Sequence, residues 1–166
     1  MTADNLRFEL MTSSQATAAT QWNDTSRLEE HTCRPVANGV RLPPTDRKLN
    51  LVFFDEGISE AVGRVQCFDF NSRNRSAEFG YSVNPLFRGR GVGRCMLTMA
   101  ITALFDRESL NKLYCQTAEF NVASVRLLES LGMHRDGILR EHHELDGKLW
   151  DDFVYSILQR EWQNSG

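Results

Sequence analysis

The chain lacks any apolar run long enough to enter a bilayer. Its longest unbroken aliphatic and aromatic stretch is Leu51-Val52-Phe53-Phe54, far short of the roughly 18 residues that a membrane span needs. Met1 to Leu10 has neither the basic start nor the apolar middle of a secretory leader, so a cytoplasmic protein with no membrane partner is expected. Positive charge is not in excess: 19 Lys and Arg stand against 22 Asp and Glu, a net charge of −3. That excludes the strongly basic footprint of a general nucleic-acid binder. The four cysteines, Cys33, Cys67, Cys95 and Cys115, form no CxxC pair, and buried reduced thiols are expected in place of a disulfide framework. Proline is scarce, and three of the four, Pro35, Pro43 and Pro44, fall between Asn23 and Lys48. With Gly39 they exclude one long helix there and suggest loop with short pieces. What remains, 41% hydrophobic and 25% charged over 166 residues, is the composition of one soluble domain that buries a core without staples.

Along the chain, Leu6 to Leu10 alternates like a short strand, and Ser13 to Trp22 suits a helix after a Thr12 or Ser13 cap. Leu49–Phe54 and Ala61–Phe70 read as a hairpin about Asp55-Glu56-Gly57. A third strand, Ala77–Val83, places Ala77, Phe79, Tyr81 and Val83 on one face. A helix follows, with Val92, Met96, Met99, Ala100 and Ala103 at helical spacing. Lys112–Thr117 is the next strand, and a second helix runs from Asn121 through Val125, Leu128 and Leu131 to a stop at Gly132. Two last strands, Met133–Leu139 and Leu149–Leu158, are joined by a polar segment with an Asp146-Gly147 turn. The βαβ order implies an α/β fold.

The chemistry concentrates in Arg88-Gly89-Arg90-Gly91-Val92-Gly93-Arg94, between a strand and a helix. Bare backbone there can approach an anion and aim several N–H groups at it, which suits phosphate. Arg88, Arg90 and Arg94 add charge, although long arginines on a loop are equally at home in water. No Lys-Ser/Thr follows the last glycine, and the spacing is not GxGxxG, so triphosphate hydrolysis and dinucleotide redox chemistry lose support. A tight strand-to-helix connection with no ligand is the plainer alternative.

Arg88-x-x-Gly91-x-Gly93 resembles the acetyl-CoA signature (Gln/Arg)-x-x-Gly-x-(Gly/Ala) of the GNAT N-acetyltransferases. Ala77-Glu78-Phe79-Gly80-Tyr81, Asn84-Pro85, Asn121-Val122-Ala123-Ser124, Leu131-Gly132-Met133 and Asp146-Gly147-Lys148 are similar, in order, to the RimJ/RimL-type subgroup, whose members acetylate ribosomal-protein alanine termini. The resemblance covers residues 49–162 of a single 166-residue domain, and residues 1–48 form a variable segment on the acceptor side. It implies a bent mixed α+β sheet whose two central parallel strands splay apart, flanked by helices, with acetyl-CoA as co-substrate in the gap. Backbone near Tyr81, Ser82 and Val83 would then bond the pantetheine and the thioester carbonyl. Gly89, Gly91, Val92 and Gly93, with the three arginines, would hold the pyrophosphate, and Asn121 and Ser124 would meet the pantetheine and thiol.

Transfer to an amine needs a base to free the nucleophile and a donor for the leaving thiolate. The resemblance points to Glu78 as the base and Ser124 as the acid. The family's usual acidic tyrosine is replaced here by Leu128. Either residue has a plainer reading, Glu78 as an exposed strand charge and Ser124 as a first-turn residue bonding backbone. Glu141, His142, His143 and Glu144 crowd one segment without a third ligand at metal spacing, so no metal is expected, and one of them is an alternative base. The expected function is acetyl transfer to a primary amine, a protein or peptide N-terminus foremost. Polyamine or other small-amine acetylation and a non-catalytic acyl-CoA-binding module are the alternatives. A homodimer is compatible with the sequence.

Overall fold

A computed structural model describes residues 6–10, 12, 36–37, 40–41, 48–55, 57, 60–71 and 74–164. In chain order its elements are β1 (Leu6–Leu10), β2 (Val36–Ala37), β3 (Val40–Arg41), β4 (Leu49–Asp55), β5 (Ala61–Asn71), β6 (Ser76–Val83), α1 (Val92–Arg107), β7 (Lys112–Ala118), α2 (Val122–Ser130), β8 (His134–Leu145), β9 (Lys148–Leu158) and α3 (Gln159–Gln163). The short pair β2–β3 agrees with the short pieces expected between Asn23 and Lys48. The expected helix from Ser13 to Trp22 and Cys33 lie outside the described residues.

Seven strands form one mixed sheet in the order β1-β4-β5-β6-β7-β9-β8. Every neighbouring pair is antiparallel except β6 and β7, which run parallel because α1 carries the chain back across the sheet. Helix α1 buries Val92, Met96, Leu97, Ala100, Ile101, Leu104 and Phe105 over β5 and β6. The buried stripe is turned somewhat from the one read in the sequence, and Met99 and Ala103 sit on its half-buried flank. Gly63 of β5 permits the close approach of α1: a Cβ there would stand 2.5 Å from Met96 Sδ and 3.1 Å from the Ser82 carbonyl oxygen. Phe53, Phe79, Leu113, Leu128, Tyr155 and Ile157 complete a core in which each is at most 1% exposed, a burial worth roughly 1.5–3 kcal/mol per large side chain.

The last hairpin departs from the sequence reading. The first of its strands does not stop at Leu139 but runs through the polar residues to Leu145. Strand β8 is an edge strand, and a backbone ladder to β9 needs no apolar side chains where one face meets water. A bulge interrupts it: the register slips between Leu139 and His143, with Glu141 at φ 52°. Past the bulge His143 is buried while His142 and Glu144 stay exposed. Asp146 and Gly147, both at positive φ, make the expected turn.

Candidate active site

The parallel pair β6–β7 is bonded only from Ser76↔Lys112 to Glu78↔Tyr114. Beyond that point β6 stays with β5 as far as Val83 and β7 stays with β9 as far as Ala118. The two strands therefore diverge, and main-chain groups on the facing edges lose their ladder partners. A cleft of about 430 Å³ opens in the gap. Its walls are Phe79–Val83 on one side and Cys115–Ala118 on the other, closed by the glycine loop, the start of α2 and His143.

At the loop end, Pro85–Phe87 form a 3-10 turn capped by Asn84, whose Oδ1 accepts from the Leu86 N–H at 3.1 Å. The chain then enters α1 through Gly91 at φ 79°, with no side chain capping the helix. The N–H groups of its first turn and the positive end of its dipole are left for an anion. Gly89 and Gly91 hold φ values of 72° and 79°, and a Cβ on either would meet nothing within 4 Å. Gly93 differs: a Cβ there would press on Leu127 Cδ2 at 3.0 Å, so it is glycine for packing. This bare, basic cradle suits the diphosphate of a coenzyme.

The arginines divide by role. Arg88 Nε donates to the Val83 carbonyl at 3.2 Å, and Arg94 Nη1 donates to the Ser130 carbonyl at 2.7 Å; both line the cleft while bracing its ends. Arg90 is not part of the lining and lies over the Phe87 ring. Of the other residues expected to hold the donor, Tyr81, Ser82, Val83, Gly89, Gly91, Val92, Gly93, Asn121 and Ser124 all face the cleft. Ser82 Oγ also accepts from Arg64 Nε at 3.0 Å. Asn121 caps α2, its Oδ1 accepting from the Ser124 N–H at 3.3 Å.

Ser124 is more than a first-turn residue. Its hydroxyl meets the Tyr81 hydroxyl at 2.6 Å, so the fold brings two O–H groups together 43 positions apart in sequence. Burial pushes the Tyr81 phenol well above its ordinary value, and the bond to Ser124 offsets this only in part. The phenol stays neutral and able to donate. Leu128 lies in the core, fully buried and outside the cleft lining; the tyrosine hydroxyl at this site comes instead from β6. Glu78 is buried at the last bonded rung of the parallel pair. It is not the exposed strand charge of the plainer reading, and it does not line the cleft. Cys115 does line it, but burial, and secondarily Glu78, raise its thiol far above the ordinary value, which keeps it protonated and unreactive.

Sequence reasoning named His143 only within a polar cluster, yet it is the residue of β8 that reaches the cleft. Its ring stands edge-on to Phe120, centroids 5.0 Å apart, and Nδ1 lies 3.6 Å from Oδ1 of Asp152. Asp152 is wholly buried, and neither carboxylate oxygen has a hydrogen-bond partner among the described residues. The signal available in sequence was the phase change that a polar bulge imposes on alternation. Cys67, Cys95 and Cys115 are free thiols. Among the described residues no three His, Cys, Asp or Glu side chains are grouped to hold a metal ion.

A mixed sheet split at its parallel pair, with a glycine-lined helix start at the mouth, leaves a cleft between the strands. The family model for the acetyltransferase (GNAT) domain matches residues 2–134, and the chain belongs to that family. Spermidine N(1)-acetyltransferase of Vibrio cholerae is 31% identical over 110 residues, 66% of this chain and 64% of that protein. A putative ribosomal N-acetyltransferase, YdaF, of Bacillus subtilis is 30% identical over 101 residues, 61% of this chain and 55% of that protein. The chain thus spans between 55% and 64% of the length of these curated relatives. Among solved structures, spermidine N-acetyltransferase from Vibrio cholerae in complex with CoA and spermine superposes with a TM-score of 0.83 at 21% identity. That match covers 97% of this chain and 99% of that one, and it shows the same fold. Among the described residues, no helix is long and apolar enough to cross a membrane.

Proposed function

We propose that this protein transfers acetyl from acetyl-CoA to a primary amine by direct attack of the amine on the thioester. The observation that carries this reading is the split between β6 and β7 beyond Glu78, which leaves main-chain edges open beside an uncapped glycine helix start. The coenzyme supplies an activated acyl group; the chain's own residues bind, orient and move protons. Backbone N–H groups on the open edge of β6 suit the thioester carbonyl, where one such donor is worth roughly 3 kcal/mol of transition-state stabilisation. The Ser124 hydroxyl, backed by the neutral Tyr81 phenol, donates to the leaving sulfur. Glu78 is set back from the cleft, so any proton it takes from an amine must arrive through water.

For the acceptor, the RimJ/RimL-type resemblance supports a protein or peptide N-terminus. A polyamine is favoured by the similarity to the spermidine acetyltransferase of Vibrio cholerae, which has been solved in complex with CoA and spermine. Incubation with acetyl-CoA and a mixed pool of peptides, spermidine, spermine and amino acids, read by mass spectrometry, separates the readings. Acetylated polyamine with untouched peptides selects the second, and the reverse selects the first. Thermal stabilisation by CoA with no product from any amine leaves a non-catalytic CoA-binding module, and absence of both removes the cleft from function.

A further inference from the structure

We propose that Phe79 and Cys115 set the length of the acyl group that this enzyme accepts, holding acetyl and turning away longer chains; this rests on the acetyltransferase reading above. The parallel ladder pairs Ala77 with Leu113 and ends at Glu78 and Tyr114. One residue further along each strand stand Phe79 and Cys115, the first residues past the ladder, and both line the cleft. They occupy the end where the strands rejoin, away from the glycine loop. By strand alternation they share a face with Ala77 and Leu113, and all four belong to the buried core.

The order of groups along the cleft decides which part of the donor arrives there. At the loop end Gly93 packs close to Leu127 and Val83. Further in, the Ser124 and Tyr81 hydroxyls meet. Beyond them the Phe79 ring stacks beside Tyr81, centroids 6.3 Å apart, and the Cys115 thiol is near enough to bear on the ionisation of the phenol. A donor with its diphosphate at the loop and its sulfur at Ser124 therefore carries its acyl carbons toward Phe79 and Cys115. Tyr81 is two residues from Phe79 along β6, roughly 7 Å, and each methylene beyond acetyl adds a C–C bond of about 1.5 Å. Phe79 is 1% and Cys115 2% exposed, and a wall packed so closely yields to a longer chain only at a cost. Burial keeps the Cys115 thiol protonated, so it serves there as a small apolar surface.

The bond changes are the same for any acyl length. The nitrogen–carbon bond forms and the carbon–sulfur bond breaks; of the two protons that the ammonium group gives up, one leaves with CoA as its thiol and one passes to solvent. Only the fit of the chain beyond the carbonyl differs, and an apolar pocket separates ligands that differ by one methylene by about 10- to 200-fold.

Initial rates with acetyl-, propionyl- and butyryl-CoA, using whichever amine the wild type acetylates, are compared for wild type, Cys115→Ala, Cys115→Ser and Phe79→Leu. Wild type is expected to favour acetyl over propionyl by about 10-fold or more in kcat/KM. Cys115→Ala and Phe79→Leu each enlarge the pocket and should raise the propionyl-to-acetyl ratio about fivefold or more, whereas Cys115→Ser, similar to cysteine in size, should hold it within about twofold. Residues that served the core alone would lower all three rates together and leave the ratio unmoved. Equal use of the three donors by wild type overturns the proposal, and an unmoved ratio in either enlarged variant removes that residue from the wall. A ratio that moves as far in Cys115→Ser as in Cys115→Ala overturns the argument from size. Should Phe79→Leu not fold, Cys115→Ala, which deletes a single sulfur atom, decides alone. A wild type that transfers no acyl group to any amine refutes the acetyltransferase reading itself, a distinguishable result.

Discussion

Ser124 and Tyr81 show how much a single hydroxyl contact decides. In sequence Ser124 was the acid that the resemblance implied or a first-turn helix residue, and Tyr81 a donor-binding residue on one face of an alternating strand. Their 2.6 Å contact exists only because β6 and α2 border the same cleft. Ser124→Ala should lower kcat about 10-fold or more while the CoA affinity measured by calorimetry stays within about threefold, since general-acid assistance is a transition-state effect. Tyr81→Phe should follow it in the same direction and add little when combined, as the proposed relay through their 2.6 Å contact requires. Burial raises the Tyr81 phenol, so the folded site keeps its proton above the ordinary tyrosine range. A kcat profile with a neutral nucleophile should therefore show no phenol ionisation up to about pH 10.

At the scale of elements, the strand–loop–helix unit from β6 to α1 was legible because glycine and proline punctuate it so strongly. Its three glycines are not equivalent, a distinction that spacing does not carry. Gly91→Val puts a branched side chain at φ 79° in open cleft space. CoA binding should weaken more than tenfold by calorimetry, with backbone strain of about 1–2 kcal/mol. Gly93→Val instead meets Leu127, and chemical denaturation should show a loss of roughly 1–3 kcal/mol from overpacking even without ligand. Strand β8 is the element the sequence misreads, because beyond Leu139 it carries a bulge and then resumes backbone pairing to β9 from His143 to Leu145, neither of which leaves a hydrophobic period.

Across the whole molecule, the far half of the sheet is tied together by Asp136, which accepts from Lys112 of β7 at 2.5 Å and from Ser156 of β9 at 2.7 Å. The Lys112 and Ser156 hydrogen bonds hold its carboxyl below the ordinary 3.8. A lowered carboxyl contributes stability above the unfolded value and loses it as pH falls through the folded one. Asp136→Asn should thus melt earlier than wild type at pH 7, by under about 1 kcal/mol because the pair is part-exposed. The gap should close as both are brought toward pH 2. Saturating CoA, at about 100 times its Kd, should add about 2.7 kcal/mol, a Tm rise of roughly 5–10 °C at this chain length.

By itself the sequence determined the βαβ order, the glycine cradle and the family resemblance, because each is written in residues a few positions apart and obeys local rules of turn, cap and alternation. The tertiary structure alone decided where the parallel ladder stops, which hydroxyl meets Ser124, and that a bulge turns His143 onto Asp152. Those depend on register and on side chains drawn from distant strands. A one-residue slip in register reverses which face a side chain joins, and local sequence does not record that slip.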